Sequence, residues 1–420
     1  MTRRSTRSAW LMLMTLTTAF ALSQSYRTVA AIMANQLQKD FALTAQQLGL
    51  FAGAFHFAFG ALQLFMGIGI DLQGVRRTVL FAWPLAIVGA VVSGLSHDFA
   101  WLVFGQVLVG IGCAPAFLVC TVFIARQFPP ERFAQVSGLT LGIGSVGMLL
   151  TGTPLAWVID HSSWRMGFFA LAIGSVAAWG AIFWLVHDAA PTPDAQTAPS
   201  PAGPPKPSVL GAIRSYGALF RLPHTLGIVA LASVTYASFL SLRGLWLGPL
   251  LIERHGFSLV QSGNVAVIVS VVGMFGPPLF GRLDPGNTRR RRWITGFTLA
   301  VAAIFAVMAL NPGATLDVVG SVLVGVLSGY IVLEYADTKA AYPASMTGRA
   351  MAVFTMAMFL GVAVMQWFTG VVASVAAAHG FDTFMAVLFT IAGLLALGAA
   401  AFRWLPAPPV PAPVAPPGSP

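Results

Sequence analysis

Long apolar segments separated by short polar ones repeat along almost the whole chain. Twelve of these segments are nearly free of charged side chains, and each approaches or exceeds the ~20 residues that a helix needs to cross a bilayer. They lie at residues 10–34, 47–69, 78–96, 99–125, 133–158, 164–186, 224–250, 260–282, 293–311, 316–338, 349–377 and 383–404. The pattern predicts an all-α membrane protein with twelve transmembrane helices.

The composition supports this prediction. Of the 420 residues, 57% are hydrophobic and only 9% are charged, which is too little polar surface to cover a water-soluble domain. The two cysteines, Cys113 and Cys120, fall in the fourth predicted helix and form no disulfide framework or metal-binding spacing. The helices contain no clustered acid, base or nucleophile, and the chain has no phosphate-binding loop for ATP. We therefore expect neither an enzyme nor a bound metal or cofactor.

The basic residues are distributed by membrane side. With a cytoplasmic N-terminus, eighteen of the 23 lysines and arginines fall in inner segments and only three, Lys39, Arg165 and Arg254, fall in outer loops. The run Arg289–Arg292 is then a topology anchor beside anionic headgroups, and it is not interpreted as a nucleic-acid patch. We expect a multi-pass protein of a bacterial inner membrane with both termini in the cytoplasm and no nucleic-acid partner.

Two proline-rich segments divide the chain. Residues 187–223 predict an extended or disordered cytoplasmic linker between an N-terminal six-helix bundle at 1–186 and a C-terminal six-helix bundle at 224–404. Residues 405–420 predict a disordered tail.

The two halves share landmarks at nearly one offset, as a tandem duplication would produce. The pairs are Arg27 with Arg243 at 216 residues, Asp71 with Asp284 at 213, Arg132 with Arg349 at 217, and Gly147 with Gly361 at 214. We therefore predict two pseudo-symmetric, parallel repeats with a substrate site between them near the membrane midplane.

The loop after the second helix contains a specific spacing of glycine, aspartate and basic residues. Its members are Gly67, Asp71, Gly74, Arg76 and Arg77. This spacing resembles a loop motif of the major facilitator superfamily, in which basic residues are also common at the positions of Leu72 and Val75. The resemblance extends over essentially all of the helical chain. It implies that this loop closes the cytoplasmic side through aspartate-to-helix contacts, and Asp284 is its counterpart in the second half.

Arg27 and Arg243 lie inside predicted helices 1 and 7, each about 7–9 Å to the outer side of the midplane. A guanidinium in hydrocarbon costs at least about 3 kcal/mol, so each must face protein, water or a ligand. Helices 1, 2, 5, 7 and 11 contain no Asp or Glu to neutralise them. Because arginine binds carboxylates and phosphates with paired hydrogen bonds, the two residues predict an anionic substrate in a central cavity. Alternatively, each binds backbone carbonyls and stabilises its own half.

The arginine positions also resemble those of the organophosphate:phosphate antiporters and the related organic-anion symporters. Tyr26 and Arg27 match a pair in helix 1 of that branch, and Leu242 and Arg243 match a pair in helix 7. Gln63 stands where the phosphate antiporters have a lysine, which favours a carboxylate over a phosphate ester. The expected substrate contacts are Arg27, Arg243, Tyr26, Gln24, Gln63 and Tyr236.

Three residues are candidates for proton coupling. His56 lies seven residues before Gln63, on the same face of helix 2, and titrates near neutral pH when unperturbed. Glu334 and Asp337 lie near the cytoplasmic end of helix 10. Each of the three also has a structural interpretation, as a neutral hydrogen-bonding group or as part of an ion pair.

These observations predict a secondary active transporter that moves a small organic anion, such as a carboxylate, by alternating access. We expect a monomer in the lipid bilayer with a proton as the coupling ion. One alternative is a proton-driven drug or siderophore exporter of the same fold, although Gln106 stands where such exporters often have an arginine. Another is a sensor that binds a solute without moving it.

Overall fold

The structure is a computed structural model that describes residues 3–129, 132–187, 217, 219–310 and 313–406. Every regular element in these ranges is helical. Most of the predicted linker and nearly all of the predicted tail lie outside the described residues.

The first six helices come from the N-terminal half. They are α1 (Arg3–Phe41), α2 (Ala45–Gln73), α3 (Val75–Leu95), α4 (Phe99–Gln127), α5 (Phe133–Leu150 and Thr153–His161) and α6 (Trp164–Leu185).

The second six helices come from the C-terminal half. They are α7 (Pro223–Arg254), α8 (Leu259–Arg282), α9 (Asn287–Ala309), α10 (Ala314–Ala341), α11 (Ala344–Ala378) and α12 (Thr383–Trp404). Ten of the described helices, α3–α12, are long and apolar enough to span a membrane. Helices α1 and α2, with 39 and 29 residues, complete the twelve. The predicted all-α membrane fold is confirmed.

Several helices are interrupted where the sequence pattern predicted continuous ones. Helix α4 is interrupted at Ala114 and Pro115, and α5 at Thr151 and Gly152. Helix α7 widens into two π-helical segments, Leu242–Trp246 and Leu250–Arg254. Such interruptions leave backbone carbonyls without helical partners, so these groups must be satisfied from elsewhere in the protein.

The two halves repeat local features as well as landmarks. Helix α2 begins with a capping box formed by Thr44 and Gln47, and α8 begins with the same box formed by Ser258 and Gln261, each residue 214 positions later. These boxes satisfy the first free N–H groups of equivalent helices.

An ion pair joins the first helix of each half to the last. Asp40 at the end of α1 lies 3.3 Å from Arg165 on α6. Arg254 at the end of α7 lies 3.0 Å from Asp382, which precedes α12. In the N-terminal half the acidic residue is on the first helix, whereas in the C-terminal half the basic residue is. Both pairs stabilise the same end of the bundle.

Large apolar side chains on the outer surface match the membrane environment. Phe81 is 74% exposed and Trp184 75% exposed, whereas Trp83 and Trp164 are buried inside the bundle. In a bilayer the exposed rings contact lipid, so they need no protein cover.

The ends of the bundle are named here by their turns. The loop-1 end holds the turns after α1, α3, α5, α7, α9 and α11. The loop-2 end holds the turns after α2, α4, α8 and α10.

Candidate functional site

The two halves pack directly against each other toward the loop-1 end, and this contact is called the seam. On one side α2 meets α11, where a Cβ atom at Gly370 would lie 2.6 Å from the carbonyl oxygen of Ala45. On the other side α1 meets α7, where Gly248 contacts the backbone of Ala31. Since glycine allows this close backbone approach, the structure has its loop-1 end closed.

Arg27 projects from α1 into the seam. Its guanidinium carbon lies 4.5 Å from the ring centroid of Phe59 on α2 and 4.8 Å from that of Phe359 on α11. Nη1 donates a long hydrogen bond of 3.5 Å to the hydroxyl of Tyr236 on α7. One aromatic ring from each half therefore holds the cation by its π face.

The charge of Arg27 has no acidic partner among the described residues. The ion pairs found there involve other cations, and Nε of Arg27 is buried without a hydrogen-bond partner. Arg27 as a whole residue is only 6% exposed. A buried cation with an unused donor can bind an anion that enters beside it.

Arg243 has different surroundings. Its Nε donates to the hydroxyl of Ser270 on α8 at 3.0 Å, and Nη2 donates to the carbonyl of Met148 at 2.9 Å. Met148 lies in the last turn of the first segment of α5, at the helix break, so the cation also meets the negative end of that segment. Arg243 thus connects the C-terminal half to the N-terminal half.

The two arginines occupy equivalent positions but are not equivalent chemically. Arg27 lies between aromatic rings, while Arg243 is 1% exposed and bound to a backbone carbonyl and a hydroxyl. The structure therefore brings Arg27 together with Tyr236 and separates it from the groups that bind Arg243.

We expect Arg243→Ala to loosen the closed loop-1 end. The variant loses the bond to Met148 across the seam, and a hydrogen bond from a charged group contributes about 1.5–3 kcal/mol, so opening should become at least tenfold easier. A cysteine introduced at Ala31, buried in the seam, reports this as faster labelling by a membrane-impermeant thiol reagent. The native Cys113 and Cys120 are buried and give little background.

The matched control is Arg165→Ala, which removes an exposed ion pair at the same end without touching the seam. Its labelling rate should equal that of the parent protein. An unchanged rate in Arg243→Ala would contradict the assignment of Arg243 to seam closure.

The other expected substrate contacts are spread over the N-terminal half. The hydroxyl of Tyr26 lies 3.0 Å from that of Ser175 on α6, inside its own bundle. Gln63 donates to the carbonyl of Ala114 at 3.2 Å, where α4 is interrupted. Gln24 lies one helical turn before Arg27 and has a buried Oε1 without a partner. Of these three side chains, that of Gln24 has polar capacity left for a ligand.

His56 lies beside the ring that contacts Arg27. Its imidazole is 1% exposed and stacks on Phe359 at a centroid distance of 6.5 Å. Nδ1 lies 3.1 Å from the carbonyl of Ala52, and Nε2 has no hydrogen-bond partner. Gln366 on α11, whose Oε1 is also unpartnered, interacts with the imidazole from the opposite half.

Glu334 and Asp337 lie in the C-terminal half. Oε2 of Glu334 accepts a hydrogen bond of 3.0 Å from Thr235, while Oε1 is buried without a partner. Asp337 lies 3.5 Å from Arg291 on α9. One carboxyl is therefore held by a neutral hydroxyl and the other by a cation. No group of three metal-ligating side chains is found among the described residues.

The structure describes part of the predicted gating loop. Gly74 has a φ of 85°, a conformation that glycine adopts without strain, and this allows the sharp turn between α2 and α3. Nη2 of Arg76 donates to the carbonyl of Phe183 at 2.9 Å, and Arg77 is exposed. The environments of Gly67 and of the Asp71 side chain lie outside what the structure describes.

The equivalent loop of the second half is described fully. Asp284 accepts a hydrogen bond of 3.0 Å from Nε of Arg290, and Gly286 has a φ of 78° that matches Gly74. The hydrogen bonds from Arg290 hold the pKa of Asp284 below its usual value, so this carboxylate stays charged to a lower pH. This ion pair fixes the turn before α9.

Phe59 and Phe359 are the site residues that the sequence analysis missed. Phe59 lies between His56 and Gln63 on one face of α2, a spacing that marked it as a possible neighbour. Phe359 gives no comparable signal, because its contact with Arg27 joins residues from different halves.

Comparisons with known proteins support the arrangement of these helices. A family model of the Major Facilitator Superfamily matches residues 15–363. The chain belongs to this superfamily. Members of the Major Facilitator Superfamily are transporters of small molecules, so this chain is a multi-pass membrane protein of a transporter family.

Individual relatives are more distant. The hexuronate transporter of Bacillus subtilis (strain 168) is 24% identical over 253 residues, which cover 60% of this chain and 58% of that protein. The match thus spans somewhat more than half of the relative's length.

Two solved superfamily structures show the same fold. A bacterial homolog of the human lysosomal transporter Spinster, inward-facing and occupied, gives a TM-score of 0.70 at 15% identity, covering 93% of this chain and 95% of the other. The D-xylose-proton symporter gives 0.70 at 14% identity, with coverage of 95% and 98%. At such low identity these likenesses concern the fold alone.

Proposed function

We propose that this superfamily member transports a small organic anion, with Arg27 as the partner of the substrate's carboxylate. The observation that carries the proposal is the buried guanidinium of Arg27, which has an unused Nε donor and no acidic partner among the described residues. Two parallel N–H donors fit a carboxylate, so an entering anion gains hydrogen bonds that the empty site lacks.

The surroundings of Arg27 favour a substrate with both polar and flat carbon surfaces. Phe59 and Phe359 offer aromatic faces, while Tyr236 and Gln24 offer polar groups. A sugar acid combines a carboxylate, hydroxyl groups and a C–H face that packs on aromatic rings. The name of the Bacillus subtilis relative, a hexuronate transporter, supports the same substrate class.

Transport follows from the position of Arg27 between the halves. Its contacts come from α2 of one half and from α7 and α11 of the other. If the halves rock apart at the loop-1 end, these contacts separate and the site faces that side. Alternation between this opening and the closed seam moves a bound solute across the membrane.

The orientation and the coupling ion belong to the same proposal. The excess of basic residues at the loop-2 end supports a cytoplasmic location for that end and for both termini, in a bacterial inner membrane. The coupling ion is a proton, for which His56, Glu334 and Asp337 are the candidate carriers.

Solute counterflow in proteoliposomes tests the proposal. We expect vesicles loaded with unlabelled D-glucuronate to accumulate labelled D-glucuronate, and to accumulate labelled D-glucose at less than a tenth of that rate. Glucose matches the ring and hydroxyls but lacks the carboxylate, so it isolates the contribution of the charge. Equal transport of both sugars would reject the anion assignment.

The same vesicles distinguish a transporter from a sensor. A sensor would bind D-glucuronate, seen as a rise in melting temperature of the purified protein, without counterflow. A transporter shows both.

A further inference from the structure

A buried histidine shares the seam with Arg27, and its protonation state is constrained by its contacts. Nδ1 of His56 lies 3.1 Å from the carbonyl of Ala52. A carbonyl oxygen can only accept, so Nδ1 carries the hydrogen of the neutral ring. Nε2 is then a free acceptor, buried and without a hydrogen-bond partner.

Gln366, which interacts with the imidazole from the other half, also presents an acceptor. Gln366 donates its Nε2 to the carbonyl of Leu240 at 3.3 Å, which fixes Oε1 as the atom left without a partner. Two acceptors cannot bond to each other. If Nε2 of His56 takes up a proton, it becomes a donor, and Oε1 of Gln366 in the opposite half is then a matching acceptor.

Burial opposes a charge on the imidazole, and Arg27 is the charged group whose field adds to that opposition. Both side chains contact the same ring, Phe359, from α1 and α2 respectively. Further titratable side chains near Arg27 are Cys113 on α4, Tyr236 on α7 and Tyr335 on α10, and none of them supplies a carboxylate. A proton on His56 in the empty site would therefore place two buried cations together.

The position equivalent to His56 in the C-terminal half holds a serine instead of a histidine. Ser270 lies 214 residues after His56, and its hydroxyl accepts a hydrogen bond of 3.0 Å from Arg243. The repeat thus gives both halves a side chain with an acceptor at this position of the helix. Only the acceptor of the N-terminal half, the imidazole of His56, can also take up a proton.

We propose that a proton on His56 and a carboxylate on Arg27 bind together, each raising the affinity of the site for the other. This inference rests on the proposed function. The carboxylate neutralises Arg27 and removes the repulsion that opposes a charged imidazole. The protonated Nε2 then donates to the carboxylate or to Oε1 of Gln366, which favours a closed seam around the loaded site. The result is one proton carried with each anion.

Reciprocity gives this coupling a measurable form. If the anion favours the protonated histidine, binding takes up about one proton, and the anion affinity rises about tenfold for each unit fall in pH across the range where His56 titrates. Calorimetry of D-glucuronate binding to the purified full chain, in buffers of different ionisation enthalpy, measures the proton count directly.

The variants are His56→Gln, which keeps a polar side chain, and His56→Ser, which copies the residue of the other half. Both should bind D-glucuronate with no proton uptake and with a pH-independent affinity. Proton uptake that persists in either variant would overturn the proposal. The proposal is also overturned if the parent protein binds D-glucuronate without taking up a proton. This measurement does not depend on whether either variant folds.

Glu334 is the alternative carrier of the coupling proton, and the variant Glu334→Gln tests this alternative. We expect about one proton per D-glucuronate to remain in this variant. Loss of uptake here, with uptake retained in the His56 variants, would transfer the role to Glu334. A parent that binds no D-glucuronate at any pH rejects the proposed function itself, whereas binding without proton uptake rejects the coupling alone.

Discussion

Arg27→Ala is expected to lower D-glucuronate counterflow at least about 100-fold. Two charge-assisted hydrogen bonds of about 1.5–3 kcal/mol each are lost with the guanidinium, and every 1.4 kcal/mol corresponds to a factor of ten in affinity. Arg27→Lys keeps the charge but loses the planar fork, so an intermediate loss of about tenfold is expected. Initial rates in proteoliposomes, together with the melting temperature at rising D-glucuronate concentration, measure both effects.

Arg165→Ala is the matched control for the loss of an arginine. It pairs with Asp40 and donates to the carbonyl of Ser96 at the loop-1 end, both within the N-terminal half, and a surface ion pair contributes less than about 1 kcal/mol. Its counterflow should stay within twofold of the parent. Counterflow that survives in Arg27→Ala, or falls equally in Arg165→Ala, would remove Arg27 from the binding site.

The second large effect concerns the packing of equivalent helices within each half. Gly361 on α11 lies against the backbone of Ser233 on α7, and Gly147 on α5 lies against the backbone of Ala21 on α1. An added methyl group would collide with main-chain atoms, which cannot move aside as the end of a long side chain can. We expect Gly361→Ala and Gly147→Ala each to lower stability by ~1–3 kcal/mol, seen as earlier thermal unfolding in detergent.

Two other helical glycines provide the comparison. A Cβ atom at Gly142 on α5 or Gly393 on α12 would meet nothing within 4 Å. Alanine is also preferred over glycine in helices by roughly 0.5–1 kcal/mol, so these variants should melt at or slightly above the parent temperature. If all four variants unfold alike, the effect comes from helix propensity and not from the helix crossings.

The unequal roles of the two arginines bear on how the halves move. Arg243 donates to the backbone of the opposite half at a helix break, so its bond to Met148 must break when the loop-1 end opens. The contacts between Arg27 and the two aromatic rings are less directional than hydrogen bonds, and they leave its Nε donor without a partner. One arginine therefore favours the closed seam, and the other remains available to a solute.

The sequence by itself determined the number of helices and their repetition. Each helix needs a continuous apolar segment of about 20 residues, and this requirement is local, so it can be recognised without knowing any partner. The depth predicted for Arg27 and Arg243 also comes from the sequence, because the rise per residue is fixed. Their equivalence followed from the constant offset between the halves.

Only the tertiary structure decided what those arginines touch. Met148 becomes a partner of Arg243 because α5 breaks beside it, and Phe359 reaches Arg27 because α11 crosses α2 at the seam. Such contacts join residues hundreds of positions apart. They depend on how the helices rotate and cross, which the spacing of residues along a single helix does not specify.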